Sequence, residues 1–524
     1  MKSDLESALA QKFLLSFDGQ QPPTGFLELV RRHPIGGVVL FRHLNIETPA
    51  QVCELTAALQ SAVRQAGQSP LLIAADQEGG QLTAIGEATP FPGNMALGAV
   101  ASPDLAQRVG AAIGRELAAM GVNVDFAPVV DVNCNPRNPV IGVRSFGEDP
   151  ALVGRLGAAM IAGLQAAGVA ATAKHFPGLG DTDIDAHFGT PVLPFDEARL
   201  RRVELPPFAA AVKAGARLVM TAHAALPALH AGADLPATLS PRVLQELLRG
   251  ELGFTGVIVT DALDMRSVEQ GTELTVECLA AARAGADLLM LASHSARFGD
   301  IYASLLHAVR RGLLDAGEVL SSAKRILALK EWLAAQERPP FEVIGCREHQ
   351  DLALEAAAQS LTLVRDRKGW LPLRLAPDQR LLVILPRPAD LTPADTSSYV
   401  TIGLADELRA YHPQVDETEC PMDPTDEDVA ALRARAEKYD AILVGTINAS
   451  AHPGQAAVVR ALVGNGSPII VAALRLPYDL ETFPKAPAFV CTYSIQPPSM
   501  KALARALVGQ AGFPGRLPVT VREA

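Results

Sequence analysis

GVAATAKHFPGLGDTDIDAHFGTPVLP, residues 168–194, contains the unit from which the first two thirds of this chain are built. Gly168 to Phe176 is a run of small and β-branched residues that reads as a buried strand. It ends in Lys174-His175 and opens into a polar loop holding Asp181, Asp183, Asp185 and His187 among glycines. A loop this long inside a compact domain usually carries function. Glycines let it fold tightly, and Asp185 stands two residues before His187, close enough for its carboxylate to reach the imidazole.

The same strand-then-loop unit recurs. β-rich runs lie at Lys12–Phe17, Gly36–Phe41, Leu71–Ala75, Val122–Val130, Val169–Phe176, Leu218–Ala222, Gly256–Thr260 and Leu288–Ala292. Segments with apolar residues at helical spacing separate them, among them Asp104–Met120, Pro150–Ala167 and Arg242–Leu252. Parallel neighbours need crossovers of this length. Eight repeats in roughly 330 residues fit a (β/α)8 barrel with insertions better than an open sheet.

The helical segment Ala316–Gln336 closes this region, and ERPPFEVIGCREHQ, residues 337–350, has the mixed polarity and Pro-Pro pair of a linker. A second alternating series follows: a helix at Asp351–Gln359, runs at Leu361–Val364, Leu381–Leu385, Ala441–Val444, Ile469–Ala473 and Ala488–Thr492, and helical pieces at Asp426–Lys438 and Gln455–Val463. The fold class expected is α/β: an N-terminal TIM-type barrel over residues 1–336, then a smaller C-terminal α/β sandwich domain over residues 351–524 with helices on both sheet faces.

Composition agrees. Of 524 residues, 49% are hydrophobic and 20% charged, enough to fill large cores. The net charge of −11 leaves no basic surface for nucleic acid or anionic lipid. No run approaches the roughly 18–20 apolar residues of a membrane span, and the N-terminal MKSDLESALAQKF lacks a signal-peptide core. Cys53, Cys134, Cys278, Cys346, Cys420 and Cys491 are scattered without C-x-x-C pairs and read as free thiols in a reducing cytoplasm.

Residues just after the C-terminal ends of barrel strands line one mouth. Those positions hold Asp76-Gln77-Glu78-Gly79-Gly80, Asp131 leading on to Arg144, then Lys174 and His175 with Asp185 and His187, then His223, then Asp261 with Asp264. Each has an ordinary alternative. Asp76 could cap a helix, Arg144 could pair with Glu148 or Asp149, His223 could be a hydrogen-bonded core histidine, and Asp264 could cap the next helix. Asp181, Asp183 and Asp185 match the first three ligand positions of a calcium loop, but Ala186 and Val192 stand where that loop needs Gly and Glu. One His among carboxylates is a poor zinc set, and Gly178-Leu179-Gly180 matches no phosphate loop. No metal and no cofactor is expected.

The chemistry that fits is displacement at an acetal carbon. A buried Asp attacks to form a covalent glycosyl intermediate, while a proton donor on the other side serves the leaving oxygen and then the incoming nucleophile. A His can fill the second role near neutral pH, with Asp185 orienting its ring. Asp76, Arg144, Lys174 and His175 would hold sugar hydroxyls, with His223 in the same substrate-binding set.

These residues resemble glycoside hydrolase family 3, in its β-N-acetylglucosaminidase (β-N-acetylhexosaminidase) branch, over essentially the whole chain. KHFPGLGDTDIDAHFGTP (Lys174–Pro191) resembles the branch's signature loop, which implies His187 as general acid/base and Asp185 as its partner. GVIVTDALDM (Gly256–Met265) is similar to the nucleophile segment and implies that role for Asp261. NPVIGVRSFGEDP (Asn138–Pro150) and DQEGG (Asp76–Gly80) resemble the sugar-binding elements. Wall-recycling members often read DQEGGRV-x-R, whereas Gln81 and Ala84 stand here where arginines would, so the outer-pocket contacts differ. The resemblance implies a cytoplasmic, metal-independent, retaining enzyme. It would release terminal β-linked N-acetylglucosamine from small saccharides such as peptidoglycan or chitin fragments, with a structural or interfacial second domain. Phosphorolysis with the same residues, a β-glucosidase of mixed specificity and a non-catalytic sugar sensor are the alternatives.

Overall fold

Side chains alternate along each of the eight barrel strands, and the two sides go to different places. The computed structural model describes residues 2–230, 232–268, 274–292, 295–464 and 467–522. Its barrel strands are β1 (Phe13–Leu15), β2 (Gly37–Val39), β3 (Leu72–Ala75), β4 (Val124–Asp125), β5 (Ala170–Phe176), β6 (Leu218–Thr221), β7 (Val257–Thr260) and β8 (Leu289–Leu291). They pair in parallel in the order β8-β1-β2-β3-β4-β5-β6-β7, and a parallel bridge between Val259 and Leu288 joins the two ends into a closed ring. Leu14, Val39, Leu72, Val124, Leu218, Val257 and Met290 pack together inside the ring. Their neighbours Phe13, Leu15, Val38, Ile73, Val219, Ile258 and Leu289 face the surrounding helices. This division is what fills a barrel of eight parallel strands. Ile326 and Leu329, on the helix Ala316–Ala334, join the inner cluster.

All eight runs seen in the sequence form strands. The run Val122–Val130 yields only the short β4, and Pro128 within it has no N–H to give the ladder. The pairing resumes at Val129, which bridges to Lys174.

The helix Arg347–Ser360 begins inside the segment read as a linker and contributes Leu352, Ala353 and Ala356 to the barrel's core and Ala357 to the second domain's. Beyond it lies a sheet of β9 (Thr362–Asp366), β10 (Leu381–Pro386), β11 (Val415–Cys420), β12 (Ala441–Thr446), β13 (Ile469–Ala473) and β14 (Ala488–Cys491). Its order is β9-β14-β13-β12-β10-β11, parallel except for β9 against β14. Separate apolar clusters cover its two faces. β11 was not foreseen: VDETEC is an edge strand whose side chains are mostly half-exposed, so it carries no apolar run. Among the described residues no helix is long and apolar enough to cross a membrane.

Candidate active site

A cavity of about 730 Å³ opens at the C-terminal ends of the barrel strands. Asp76, Arg144, Lys174, His175, Asp185, His187 and Asp261 all line it. Of the sequence-predicted site residues only His223 does not.

The floor is a chain of buried charges. Lys174, on β5, places Nζ 2.6 Å from Asp76 Oδ1 and 2.7 Å from Glu78 Oε1. Arg144 grips Glu78 from the other side, Nη2 to Oε1 at 2.8 Å and Nε to Oε2 at 2.9 Å. Glu78 lies in a short hairpin, Gln77–Gly79 against Leu82–Thr83, that leaves the end of β3. Burial would raise its pKa, but Arg144 and Lys174 more than offset that and hold it at about 2. For Lys174 burial works the other way, and Asp76 and Glu78 outweigh it to keep the ammonium charged. Arg144 therefore does not pair with Glu148 or Asp149; Asp149 caps the helix Pro150–Ala166. The result is a rigid row of alternating donors and acceptors, suited to fixing several hydroxyls of one ring.

His175 is set by Asp131, six residues past the end of β4. The carboxylate accepts from His175 Nδ1 at 2.8 Å, from the His175 N–H at 3.2 Å and from the Leu179 N–H at 2.7 Å. It thus fixes both the histidine and the first turn of the loop that follows. Gly180 in that turn lies where a Cβ would fall 1.8 Å from the Val132 carbonyl oxygen, so the chain passes there only as glycine.

Further along the loop, His187 Nδ1 stands 2.7 Å from Asp185 Oδ1, which also accepts from the His187 N–H at 2.9 Å. Asp185 is buried and His187 half-exposed. Burial alone would raise the Asp185 pKa, and the hydrogen bond and charge of His187 outweigh it, keeping the carboxylate ionised. The other loop carboxylates face elsewhere: Asp183 binds Asn135 at 2.8 Å and Arg137 at 3.2 Å, and Asp181 lies 3.5 Å from Arg199. The three do not converge on one point.

Asp261 follows β7 and accepts from the Ala262 N–H at 2.8 Å. Burial would raise its pKa; the imidazoles of His223, His175 and His187 overcome this and hold it below the ordinary carboxylate value. His223 lies behind it. Nε2 is 2.9 Å from the Ala262 carbonyl, which can only accept, so that nitrogen carries the proton. Nδ1 is 2.7 Å from Thr238 Oγ1. Both ring nitrogens are occupied, and burial lowers the pKa. Asp264 lines the cavity and accepts from the Ala292 N–H at 3.2 Å.

Chemically, the cavity sets an ionised carboxylate on the rigid barrel rim beside an imidazole backed by a second carboxylate on a loop. A carboxylate and a proton donor lining one cavity are groups that can serve displacement at an anomeric carbon. Three features escaped the sequence reading. Glu78 and Asp131 appear there as strand-end acids without a role. The third is the contribution of the second domain, whose residues Asp390–Thr396 and Tyr399 form part of the wall. The structural or interfacial role expected of this domain thus includes a share of the cavity wall.

Comparison with known proteins agrees with this architecture. The Glycosyl hydrolase family 3 N terminal domain model matches residues 11–329, and the Glycosyl hydrolase family 3 C-terminal domain model matches residues 361–524. Beta-hexosaminidase A of Pseudoalteromonas piscicida is 35% identical, covering 96% of this chain and 92% of its own. A beta-N-acetylglucosaminidase/beta-glucosidase of Cellulomonas fimi is 31% identical over 98% of this chain and 93% of its own. The solved structure of a glycoside hydrolase family 3 beta-N-acetylglucosaminidase from Paenibacillus sp. str. FPU-7 superposes with a TM-score of 0.93 at 36% identity, covering 99% of both chains.

Proposed function

The chain belongs to glycosyl hydrolase family 3 and is a glycoside hydrolase, and from that premise we propose that it is a retaining β-N-acetylglucosaminidase (β-N-acetylhexosaminidase). Its substrates are small saccharides ending in β-linked N-acetylglucosamine, such as peptidoglycan or chitin fragments. The observation that carries the reading is the Asp185–His187 pair at 2.7 Å, lining the same cavity as Asp261. The names of the similar proteins from P. piscicida, C. fimi and Paenibacillus support the choice of sugar.

In this reading Asp261 attacks the anomeric carbon as the bond to the leaving oxygen breaks, and His187 gives that oxygen its proton. The product is a glycosyl ester on Asp261 and a free aglycone. His187, now neutral, takes a proton from water, and the hydroxide equivalent displaces Asp261 from the sugar with a second inversion. Asp185 orients the ring and stabilises the imidazolium. Asp76, Lys174, Arg144 and His175 hold the hydroxyls, while Glu78 and Asp131 hold those side chains. The six cysteines are all free, which suits a reducing compartment and the cytoplasmic location that belongs to this proposal.

The test is product identification on an N-acetylglucosaminide with and without phosphate. Free N-acetylglucosamine of retained configuration is expected, together with a trapped glycosyl ester on Asp261 and no ester in Asp261→Ala. Sugar 1-phosphate formed only with phosphate would instead make the enzyme a phosphorylase using the same residues. Turnover of glucosides but not N-acetylglucosaminides would overturn the sugar assignment.

A further inference from the structure

The loop that carries the Asp185–His187 pair leaves the end of β5 and returns at Pro191, and the barrel holds both of its stems. On the way out, the Leu179 N–H reaches Asp131 at 2.7 Å and the Leu179 carbonyl accepts from the Asn138 side chain at 2.8 Å. On the way back, the Pro191 carbonyl accepts from the Ala225 N–H at 2.8 Å, and the Leu193 N–H donates to the Ala225 carbonyl at 2.9 Å. Between the stems Asp183 is tied at the surface to Asn135 and Arg137. Past Asp183 the bonds turn inward: the Phe188 and Gly189 N–H groups donate to the Asp185 carbonyl at 3.0 and 3.3 Å.

Ser267 is the exception. Among the described residues it is the one outside the loop that hydrogen-bonds the stretch from Ile184 to Thr190. Its N–H donates at 3.3 Å to the carbonyl of Ala186, the residue between the two members of the pair, and its carbonyl accepts from Thr190 Oγ1 at 2.9 Å. Ser267 is fully buried and stands six residues after Asp261, on the same loop. That loop is well anchored. The Ala262 carbonyl meets His223, the Leu263 N–H donates to the Met290 carbonyl on β8 at 3.0 Å, and the Met265 and Val268 N–H groups close successive turns at 3.1 and 3.0 Å. Ala186 is buried in the same apolar cluster as Ala262 and Met265, so the seam between the two loops is packed as well as bonded.

An imidazole that must protonate one particular oxygen has to be held in place, because a misplacement of about 1 Å can cost about 100-fold in rate. Asp185 fixes the orientation of the His187 ring, but both residues ride on one loop, and their bond leaves the distance to Asp261 open. Only a contact between the two loops can set that distance. We propose that Thr190 is a positioning residue, whose hydroxyl ties the loop bearing His187 to Ser267 and thereby fixes the acid/base group relative to Asp261. The role rests on the reading of His187 as acid/base and Asp261 as nucleophile.

The experiment compares wild type with Thr190→Val, which keeps the shape without the hydroxyl, and Thr190→Ser, which keeps the hydroxyl. In Thr190→Val, kcat/KM for N,N′-diacetylchitobiose is expected to fall about fivefold, the factor carried by one hydrogen bond of ordinary net strength. On a dinitrophenyl N-acetylglucosaminide, whose leaving group needs little acid help, kcat/KM is expected to stay near wild type. Hydrogen exchange is expected to quicken at the Ser267 N–H and across residues 184–190, with the melting temperature unchanged, and Thr190→Ser is expected to restore both rates and exchange. Equal losses on the two substrates, no loss on either, or no rescue by Thr190→Ser overturns the role of Thr190. Faster exchange with an unaltered ratio of the two kcat/KM values overturns it too. Wild-type protein that turns over neither glycoside overturns the reading of the site itself, whatever the exchange of the loop.

Discussion

Arg144 and Glu78 meet in two parallel hydrogen bonds, 2.8 Å from Nη2 to Oε1 and 2.9 Å from Nε to Oε2, with both side chains buried. Lys174 approaches the same carboxylate at 2.7 Å, so Glu78 organises two of the cations that line the cavity. Such a pair lends little net stability against an apolar substitute, yet breaking it strands the remaining charges.

Glu78→Gln is therefore expected to cost about 3–5 kcal/mol in urea unfolding and to lower activity as Lys174 and Arg144 lose their shared anchor. The pH dependence has a definite sign. The folded pKa of Glu78 is depressed to about 2, so its contribution is present above the ordinary carboxylate pKa and is lost as pH falls towards 2. A variant as stable as wild type at pH 7 would show that the charges relax without Glu78.

The dyad leads to a second prediction. In the proposed reaction His187→Ala removes the proton carrier, and Asp185→Asn leaves the shape but not the charge behind the imidazole. Proton transfer of this kind contributes about 10²–10⁴-fold, most where the leaving group is poor. Both variants are expected to lose kcat/KM steeply on alkyl or sugar glycosides and far less on dinitrophenyl glycosides. Equal losses across a leaving-group series would remove His187 from the acid role.

The barrel and the Asp185–His187 contact were legible in the sequence because both are local patterns. Each strand is an apolar run followed by polar residues, and Asp185 reaches His187 across two residues without help from the fold. Long-range relations were not legible. Glu78 reads as one acid in a Gly-rich turn, and only the closure of the barrel brings Arg144 and Lys174 to it from β5 and the loop after β4. His223 at a strand end looks like a site residue, but its neighbours Thr238 and Ala262 turn it inward. The second-domain wall had no motif to announce it. Its one available signal is topological: residues 387–399 leave β10 beside the point where strand order reverses, the usual place for a ligand crevice in such a sheet.

Glu204 provides a test through pH. It is buried beneath the loop that follows β5, with Oε1 2.8 Å from Arg199 and Oε2 without a hydrogen-bond partner among the described residues. A Cβ at Gly178 would fall 2.7 Å from that second oxygen. Burial, only partly opposed by Arg199, pushes its pKa up to about 7. The folded state thus holds a proton that the unfolded chain releases above about pH 4.3. Stability from this group is full below that pH and declines as pH rises through 7, by on the order of 3 kcal/mol. Glu204→Gln is expected to flatten the decline. Urea midpoints at pH 5 and pH 8 for the two proteins are the check, and parallel shifts in both would assign the pH effect elsewhere.

Arg475 connects the two domains at the site itself. It follows β13, is 4% exposed, and bonds both Asp395 and the side chain of Gln81 in the loop that carries Glu78. Its partner Asp395 is fully buried on its side chain. Arg475→Met therefore leaves a buried carboxylate without its cation and is expected to cost about 3–5 kcal/mol. It also loosens the hairpin between the domains, so substrate affinity should suffer along with stability. Adding Asp395→Asn removes the stranded charge, and the double variant is expected to be more stable than Arg475→Met alone, with a coupling energy of about 0.5–3 kcal/mol. Additive effects in that cycle would mean that the two side chains act independently. Recovery of stability without recovery of KM would then separate the two roles of Arg475: one is to neutralise Asp395, and the other is to hold Gln81, and with it the acid-bearing hairpin, against the second domain.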